Sequence, residues 1–341
     1  MLLMSSRYSS QQVVYDVADP LHARLLCRLT NTSAHLFTGD TFEYLKPVSA
    51  SETDVMLHSL GSGNESVAGK FPFSATTTSW LPDQSVAAYT HTVPADNANL
   101  PGGGVDVELY ARGLTGHLFT YPIPLTDCIC RFGLPPQTLA VSPDGQYVAA
   151  GWPIGKGGRP ILVYRVSDRT LAITLDSAVS NAFWNRVGHR LFLGRSPADV
   201  EQSWTPEAGV VALAGATGWA FLPSQSPDGG QVAYTAYAGQ DLRTYLYDVK
   251  AGSTRMLIDK LRSQALFVKD GWVWYLEEGP CDPMVCGAPW GTQPTGKVFA
   301  MQLTTGTETD VGFPAGENPV VLQDGHADWT SFGPGEFWPG T

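Results

Sequence analysis

Residues 138–151, TLAVSPDGQYVAAG, decide the fold class. A run of small and apolar residues leads into Ser142-Pro143-Asp144-Gly145, and a second apolar run leads away from it to Gly151. Proline presets the backbone at the second position of such a turn, and glycine accepts the positive φ that completes it. The stretch therefore predicts a tight antiparallel β-hairpin.

The same hairpin recurs further along the chain. QSPDGGQVAYT surrounds Gly229, FVKDGWVWYL surrounds Gly271, and the weaker copy FWNRVGHRLFLG surrounds Gly188. Together with Gly145, these glycines follow one another at intervals of about 42 residues, and such a period indicates a repeat architecture. We expect Gly229 to adopt a positive φ in its turn.

Three weaker copies predict hairpins outside the regular stretch, in residues 27–39 about Thr32-Ser33, in 78–90 about Asp83-Gln84 and in 320–332 about Asp324-Gly325. Six hairpins are followed by a further alternating strand, beginning near positions 54, 106, 161, 209, 244 and 297. The seventh such strand, VVYDVADP, lies at the amino end, at position 13.

This arrangement predicts one all-β domain over residues 1–341, a seven-bladed β-propeller with blades of about four strands. Residues of about 13–29 and 320–332 would form blade 7, so that N- and C-terminal strands pair and close the ring, and 333–341 would be a tail. An open ring would leave two strand edges exposed. The alternative is a six-bladed ring with the carboxyl end packed outside it.

The turn sequences at Ser142–Gly145 and Ser226–Gly229 resemble those of TolB-type and WD-repeat-like propeller repeats, where SPDG marks the turn between the two inner strands of a blade. Partial copies lie at Asp270-Gly271 and Asp324-Gly325, and no Trp-Asp dipeptide closes the blades. The resemblance implies a propeller. It also implies that the chain could dock to another subunit in the periplasm, as TolB-type propellers do, and it leaves function open.

Composition excludes some partners. The formal charge of −11, from 21 basic and 32 acidic residues, argues against nucleic acid, whose phosphates are bound mainly by lysine and arginine. The sequence contains no run of 18 apolar residues, so it predicts no membrane-spanning helix. We expect a soluble monomer, periplasmic or extracellular, although the sequence MLLMSSRYSSQQ shows no signal-peptide pattern.

The cysteines leave two alternatives open. Cys281 and Cys286 lie five residues apart in a Gly/Pro-rich stretch and could close a small disulfide, or all five cysteines could be free thiols. Their spacing does not match the usual zinc signatures.

The connections from the second to the third strand of each blade are expected to gather on one face and to form, with the central channel, a surface for a small-molecule, carbohydrate or protein ligand. They are predicted at 39–53, 91–104, 152–160, 195–208, 237–243, 277–296 and 333–341. Because flat aromatic rings stack on such ligands, the predicted ligand-binding residues are Trp152, Trp204, Tyr237, Trp290 and Trp338. The alternative is that these rings only keep the loops ordered.

Acidic residues and histidines of the same connections give weaker candidates. Glu277, Glu278 and Asp282 could bind Ca²⁺, which takes roughly six to eight oxygen ligands, or could simply be solvated. No other cofactor is expected. The candidate catalytic residues are His91, Asp96, Glu277 and Glu278, with His91 the best of them because Asp96 is near. His189 follows a hairpin turn and is expected to hydrogen-bond a neighbouring turn.

Two functions remain open at this stage. The absence of GxSxG, HExxH and sialidase-type Asp-box motifs favours a propeller that binds a ligand or partner protein without chemistry. The alternative is a propeller hydrolase, either a metal-dependent lactonase or a carbohydrate-active enzyme, with acids drawn from separate blades.

Overall fold

The computed structural model describes residues 2–5, 11–30, 34–38, 41–72, 77–81, 85–93, 103–122, 138–151, 160–175, 179, 181–196, 199–215, 223–238, 241–280, 292–313 and 328–331. Their regular structure consists of β-strands in seven four-stranded antiparallel sheets, as an all-β fold requires. In this part of the chain, no helix is long and apolar enough to cross a membrane.

The chain divides into two compact units. One comprises Met1–Ser33, Gly194–Ser203 and Val211–Gly333, and the other comprises Ala34–Leu193, Trp204–Val210 and Pro334–Thr341. We number the strands in chain order. The sheets are numbered along the sequence from the sheet that begins with β4, so the sheet that contains β1 and β28 is sheet 7.

Three sheets lie in the second unit. Sheet 1 contains β4 (Ala34–Thr38), β5 (Thr41–Ser49), β6 (Glu52–Ser59) and β7 (Glu65–Phe71); sheet 2 contains β8 (Thr77–Trp80), β9 (Val86–Val93), β10 (Gly104–Ala111) and β11 (Leu114–Pro122); sheet 3 contains β12 (Thr138–Val141), β13 (Tyr147–Gly151), β14 (Ile161–Arg165) and β15 (Leu171–Leu175). In each sheet, consecutive strands are neighbours.

Sheet 4 contains β16 (Asn181–Trp184), β17 (Leu191–Ser196), β18 (Asp199–Thr205) and β19 (Gly209–Ala212), again in consecutive order.

The first unit holds the remaining sheets. Sheet 5 contains β20 (Ser224–Gln225), β21 (Gln231–Ala238), β22 (Asp241–Asp248) and β23 (Ser253–Ile258); sheet 6 contains β24 (Arg262–Lys269), β25 (Trp272–Pro280), β26 (Thr292–Gln302) and β27 (Thr307–Asp310); sheet 7 contains β1 (Leu2–Ser5), β2 (Gln11–Asp16), β3 (Arg24–Thr30) and β28 (Asp328–Ser331).

Sheet 7 combines strands from opposite ends of the sequence, in the order β28-β1-β2-β3. Leu2 pairs with Ser331 and Ser5 pairs with Asp328, so Tyr15 in β2 and Trp329 in β28 belong to one sheet. The partner of β28 is β1, a strand that the sequence analysis did not predict. The predicted turn about Asp324-Gly325 lies outside the described residues.

The predicted hairpin about Thr32-Ser33 is wrong. Strand β3 belongs to sheet 7 and β4 to sheet 1, so the polar residues between them connect two sheets. The hairpin of sheet 1 is formed by β4 and β5, where Phe37 pairs with Phe42. A short polar stretch between two apolar strands has the same sequence pattern in both cases, which explains the error.

Three predicted loops are also largely strand. Most of 39–53 is β5 and most of 195–208 is β17 and β18, while the described residues of 237–243 belong to β21 and β22. In sheet 5 the ladder extends as far as the pair Ala238 and Asp241. The pairing between the second and third strands of these sheets therefore extends further than the hydrophobic pattern predicted.

The repeated turn is built as the sequence predicts. Gly145, Gly188, Gly229 and Gly271 have φ of 69°, 76°, 66° and 71°. In the first SPDG turn, the Gly145 amide donates to the Ser142 carbonyl (2.8 Å) and the Ser142 hydroxyl donates to Asp144 Oδ1 (2.6 Å). The Ser142 hydroxyl also accepts from the Tyr147 amide at 2.9 Å, which ties both ends of the turn to one side chain.

The first two strands of sheet 3, β12 and β13, are buried on both faces. Leu139, Val141 and Val148 pack in one apolar cluster with residues of sheet 2, whereas Ala140 and Ala149 pack in another with residues of sheet 4. Because successive side chains of a strand point to opposite faces, both faces must be apolar here. Strand β13 is accordingly buried at every position.

Substituting the two turn glycines Gly145 and Gly188 by alanine separates backbone strain from packing. Both variants place a side chain at positive φ, which costs about 1–2 kcal/mol. At Gly145 the new Cβ would lie 2.7 Å from Leu81 Cδ1, whereas at Gly188 nothing lies within 4 Å. Gly145→Ala should therefore lower the free energy of unfolding by roughly 1 kcal/mol more than Gly188→Ala, measured by urea denaturation. Equal losses would show that Leu81 does not crowd this turn.

Candidate functional site

A cluster of polar side chains lies on one face of sheet 2, and we call His91, Asp106, Glu108, His117 and Thr120 the sheet 2 cluster. Asp106 and Glu108 are two residues apart on β10, so both side chains point to the same face. The intervening Val107 is fully buried on the opposite face. This alternation fixes the register of β10, because a shift by one residue would bury the two acids.

Strand pairing brings the other members of the sheet 2 cluster beside these acids. His91 of β9 lies opposite Asp106. On the other side, Thr120 of β11 lies opposite Asp106 and His117 lies opposite Glu108.

A β-bulge makes the last arrangement possible. Residues three apart on a regular strand point to opposite faces, and His117 and Thr120 are three apart. The β10–β11 register shifts between Val107 and Glu108, which leaves Leu118 as the extra residue of β11. Bulges re-aim side chains in this way, and here the bulge places His117 and Thr120 on the same face.

The donor atoms of the sheet 2 cluster lie close together. Nε2 of His91 is 3.6 Å from Oδ2 of Asp106 and 3.6 Å from Oε1 of Glu108. Nδ1 of His117 is 3.0 Å from the same Oε1 of Glu108. The Thr120 hydroxyl forms a short hydrogen bond with Oδ1 of Asp106 and lies 3.2 Å from Nε2 of His117.

The sheet 2 cluster is accessible from solvent at the histidines and shielded at the acids. The side chains of His91 and His117 are 42% and 47% exposed, whereas those of Asp106 and Glu108 are 19% and 15% exposed. Next to them, Tyr89 is buried, and burial together with the Glu108 charge raises the pKa of its phenol to about 12. A carboxylate pair with half-exposed imidazoles can bind a cation or exchange a proton with a ligand.

His91 was the strongest catalytic candidate in the sequence, and the structure places two carboxylates beside it. Its nearby carboxylates are Asp106 and Glu108, while Asp96 lies outside the described residues. Asp106, Glu108, His117 and Thr120 were not among the residues that the sequence predicted for a site. The available signal was the Asp-x-Glu spacing on the polar face of DVELYA, which needs the strand register before it can be connected with His91.

Glu277 and Glu278 do not converge. Both belong to β25, where successive side chains point to opposite faces. Glu277 accepts a hydrogen bond from Thr295 at 2.7 Å and lies 3.7 Å from Arg262. Glu278 is buried and hydrogen-bonded by Ser263, and burial raises the pKa of its carboxyl above the ordinary value. Asp282, the third predicted calcium ligand, lies outside the described residues.

The predicted ligand-binding aromatic residues differ in position. Trp204 lies in β18 rather than in a loop and is only 3% exposed, with its ring edge-on to Tyr147 and Trp184. Tyr237 lies near the end of β21 and is 64% exposed. The others, Trp152, Trp290 and Trp338, lie outside the described residues, as do Cys281 and Cys286.

His189 has the structural role that the sequence predicted. Its Nδ1 is 2.6 Å from Asp144 of the SPDG turn in sheet 3, and its Nε2 is 3.3 Å from Glu207. Burial alone would lower the pKa of His189, but the two carboxylates outweigh burial and raise it. The side chain thus links the turn of sheet 4 to that of sheet 3.

Solved structures similar to this chain contain β-propellers. Acylaminoacyl peptidase from Pyrococcus horikoshii matches 95% of this chain and 51% of its own, at 11% identity and a TM-score of 0.54. The β-propeller domain of the Trilobed protease from Pyrococcus furiosus matches 83% and 85%, at 11% identity and a TM-score of 0.46. TolB from Acinetobacter baumannii matches 92% and 79%, at 12% identity and a TM-score of 0.39.

These similarities concern the fold. This chain spans about half the length of the acylaminoacyl peptidase. No protein-family model matches the sequence, and no curated protein sequence matches it. The seven four-stranded antiparallel sheets among the described residues are those of a β-propeller.

Replacing Glu278 by glutamine should stabilise the protein at neutral pH. Because the pKa of Glu278 is raised above 4.5, the folded chain holds this proton more tightly than the unfolded chain does. The stability that the protonated Glu278 carboxyl contributes is complete at a pH below its ordinary pKa of 4.5. It is lost as the pH rises through the pKa of the folded state. Glutamine does not titrate, so Glu278→Gln should raise the free energy of unfolding at pH 8, by about 1.4 kcal/mol for each unit of pKa difference. The gain should vanish near pH 4, and urea denaturation at the two pH values measures it.

Glu277→Gln is the matched control, since this neighbouring acid lies near Arg262 and Lys297. It should give no gain at pH 8. A loss of stability at pH 8 in Glu278→Gln would contradict the inference that the buried carboxylate is unfavourable.

Proposed function

We propose that this chain is a single seven-bladed β-propeller that binds a ligand or a partner protein, without covalent chemistry, through the connections between second and third strands. Tyr237 carries the proposal. Two of the predicted ligand-binding aromatic residues, Tyr237 and Trp204, are described by the structure. Tyr237 is 64% exposed, whereas Trp204 is buried. Propellers with uneven connections on one face commonly use that face for binding.

The end of the β21–β22 hairpin is ordered by its own contacts. Tyr237 pairs across the hairpin with Leu242, whose side chain is buried. On the other face, Arg243 donates to Asp241 at 2.9 Å and to Asp259 at 3.1 Å. Tyrosine and arginine are enriched at binding interfaces, and a rigid hairpin end loses little conformational entropy on binding.

Closure of the propeller is part of this proposal. The pairing of β1 with β28 supports it, because that pairing gives sheet 7 four strands, as in the other sheets. In such a blade β1, from the amino end, and β28, from the carboxyl end, cover one edge of each other.

A metal-dependent hydrolase is the second candidate, and the sheet 2 cluster favours it. A histidine and two carboxylates around one point are the residue types that hold a catalytic metal ion. Turnover of an ester, lactone or glycoside that depends on an added divalent cation would decide for this candidate over binding alone.

Replacing Tyr237 by alanine should weaken ligand binding at least tenfold, because truncating a central aromatic residue costs about 2 kcal/mol or more. The ligand is to be found by titrating the full chain against arrays of oligosaccharides, amines and peptides, with affinities measured by calorimetry. Leu114→Ala is the matched control, since Leu114 is 69% exposed at the first position of β11. Equal losses in both variants, or none in Tyr237→Ala, would remove Tyr237 from the site.

Deleting residues 1–20 should cause a large loss of stability or aggregation. The deletion removes β1 and β2, the two central strands of sheet 7, and leaves β3 and β28 without their neighbours. It also removes Tyr15, which is fully buried in an apolar cluster with Trp274. A peptide of residues 1–20 added in trans should restore part of the melting temperature. A truncated chain that melts like the full one would contradict closure.

A further inference from the structure

We propose that His91, Asp106 and Glu108 form a binding site for a divalent first-row transition-metal ion, with zinc as the best fit. One ligand atom of each residue can be chosen so that all three lie within 4.8 Å of one another. The inference concerns metal binding only. It does not depend on the proposed binding function of Tyr237 or on any catalytic activity.

The spacing of the donor atoms fits a tetrahedral ion. In such a site, ligand atoms about 2.0–2.2 Å from zinc are separated from one another by about 3.3–3.6 Å. Nε2 of His91 lies 3.6 Å from an oxygen of Asp106 and 3.6 Å from an oxygen of Glu108. The third separation, between the two carboxylate oxygens, is at most 4.8 Å, so an ion could contact all three atoms once the carboxylates turn toward it.

The chemistry of the donors selects the class of metal. Calcium and magnesium prefer sites made of oxygen atoms only, whereas imidazole together with carboxylates suits zinc and its first-row neighbours. The two carboxylates carry two negative charges, which one divalent ion neutralises. In the described part of the chain, no lysine or arginine nitrogen lies within ion-pair distance of either carboxylate, so no such side chain neutralises them.

His117 and Thr120 hold the acidic ligands in position. Thr120 hydrogen-bonds Oδ1 of Asp106, while Oδ2 of the same carboxylate is the oxygen near His91. His117 contacts Glu108 through Nδ1 at 3.0 Å. Metal ligands are commonly oriented by such outer hydrogen bonds, and their loss typically lowers metal affinity by about 10–100-fold.

Three protein ligands would leave a coordination position for water or for a bound ligand. The half-exposed His91 ring lies on the solvent side of the sheet 2 cluster. Structural zinc sites normally have four protein ligands, whereas sites with three are those that exchange or activate a bound molecule. We therefore infer an exchangeable site rather than one that the fold requires.

His189 provides an internal comparison. It also lies between two carboxylates, but Asp144 approaches Nδ1 and Glu207 approaches Nε2, on opposite sides of the ring. Both carboxylates of His91 approach the same nitrogen. One ion can be shared at His91 and cannot be shared at His189, although the residue types are the same.

The test is calorimetric titration of Zn²⁺ into the full chain after treatment with chelator and dialysis. Co²⁺ serves as a second probe, because its visible absorption reports an ordered ligand set. We expect one ion per chain, a loss of affinity of at least about 100-fold in His91→Ala and Glu108→Gln, and about tenfold in His117→Gln. His189→Ala should bind the ion as the wild-type chain does.

Circular dichroism and melting of the metal-free variants show whether each one folds. If His91→Ala does not fold, Glu108→Gln and His117→Gln carry the test, since both preserve side-chain size. The proposal is overturned if Zn²⁺ does not bind, if it binds equally in Glu108→Gln, or if His189→Ala abolishes binding. Stoichiometric binding of Ca²⁺ in preference to Zn²⁺ would overturn the assigned class of metal.

Discussion

The structure depends on sheets that must be covered on both faces. In sheet 3, alternate residues of β12 and β13 pack into two separate apolar clusters, one shared with sheet 2 and the other with sheet 4. In sheet 3, β12 and β13 are therefore mostly apolar, with alanine, valine and leucine at most positions. Hydrogen bonds between first strands follow the same plan: the Ser79 hydroxyl accepts from the Val141 amide, and the Ser224 hydroxyl accepts from the Phe267 amide, each at 2.9 Å. A buried serine would be costly without such a partner.

The sheet 2 cluster lies where this coverage ends. On the same face of β9, Tyr89 is buried in an apolar cluster with Trp80 and Val55, while His91, two residues further, is half-exposed. The opposite face of β10 remains fully apolar as far as Val105. Polar chemistry is thus confined to the end of one face, and the packing of the rest of the sheet holds its backbone in place. A site on paired strands is more rigid than one on loops.

The sequence predicted what local chemistry determines. The SPDG turns, the positive φ of their glycines and the order of strands in most sheets follow from residue preferences within about a dozen positions. The prediction failed where the same local pattern fits two connections, as at Thr32-Ser33, and where strands continue through residues taken for loops. The sheet 2 cluster was missed because it depends on the pairing of three strands and on the bulge at Leu118. Neither has a signal in a single sequence.

His91 and His189 show why geometry, rather than residue type, separates a candidate site from a structural contact. Each imidazole is near two carboxylates, and each lies close to a turn or strand end in the sequence. Asp144 contacts one ring nitrogen of His189 and Glu207 contacts the other. Both nitrogens of that ring are therefore occupied by structural contacts. Asp106 and Glu108 share one nitrogen of His91, which concentrates negative charge at a single point beside an open solvent face. The two arrangements therefore differ in what they can bind: the first occupies both nitrogens of one ring, whereas the second places three donor atoms around one point.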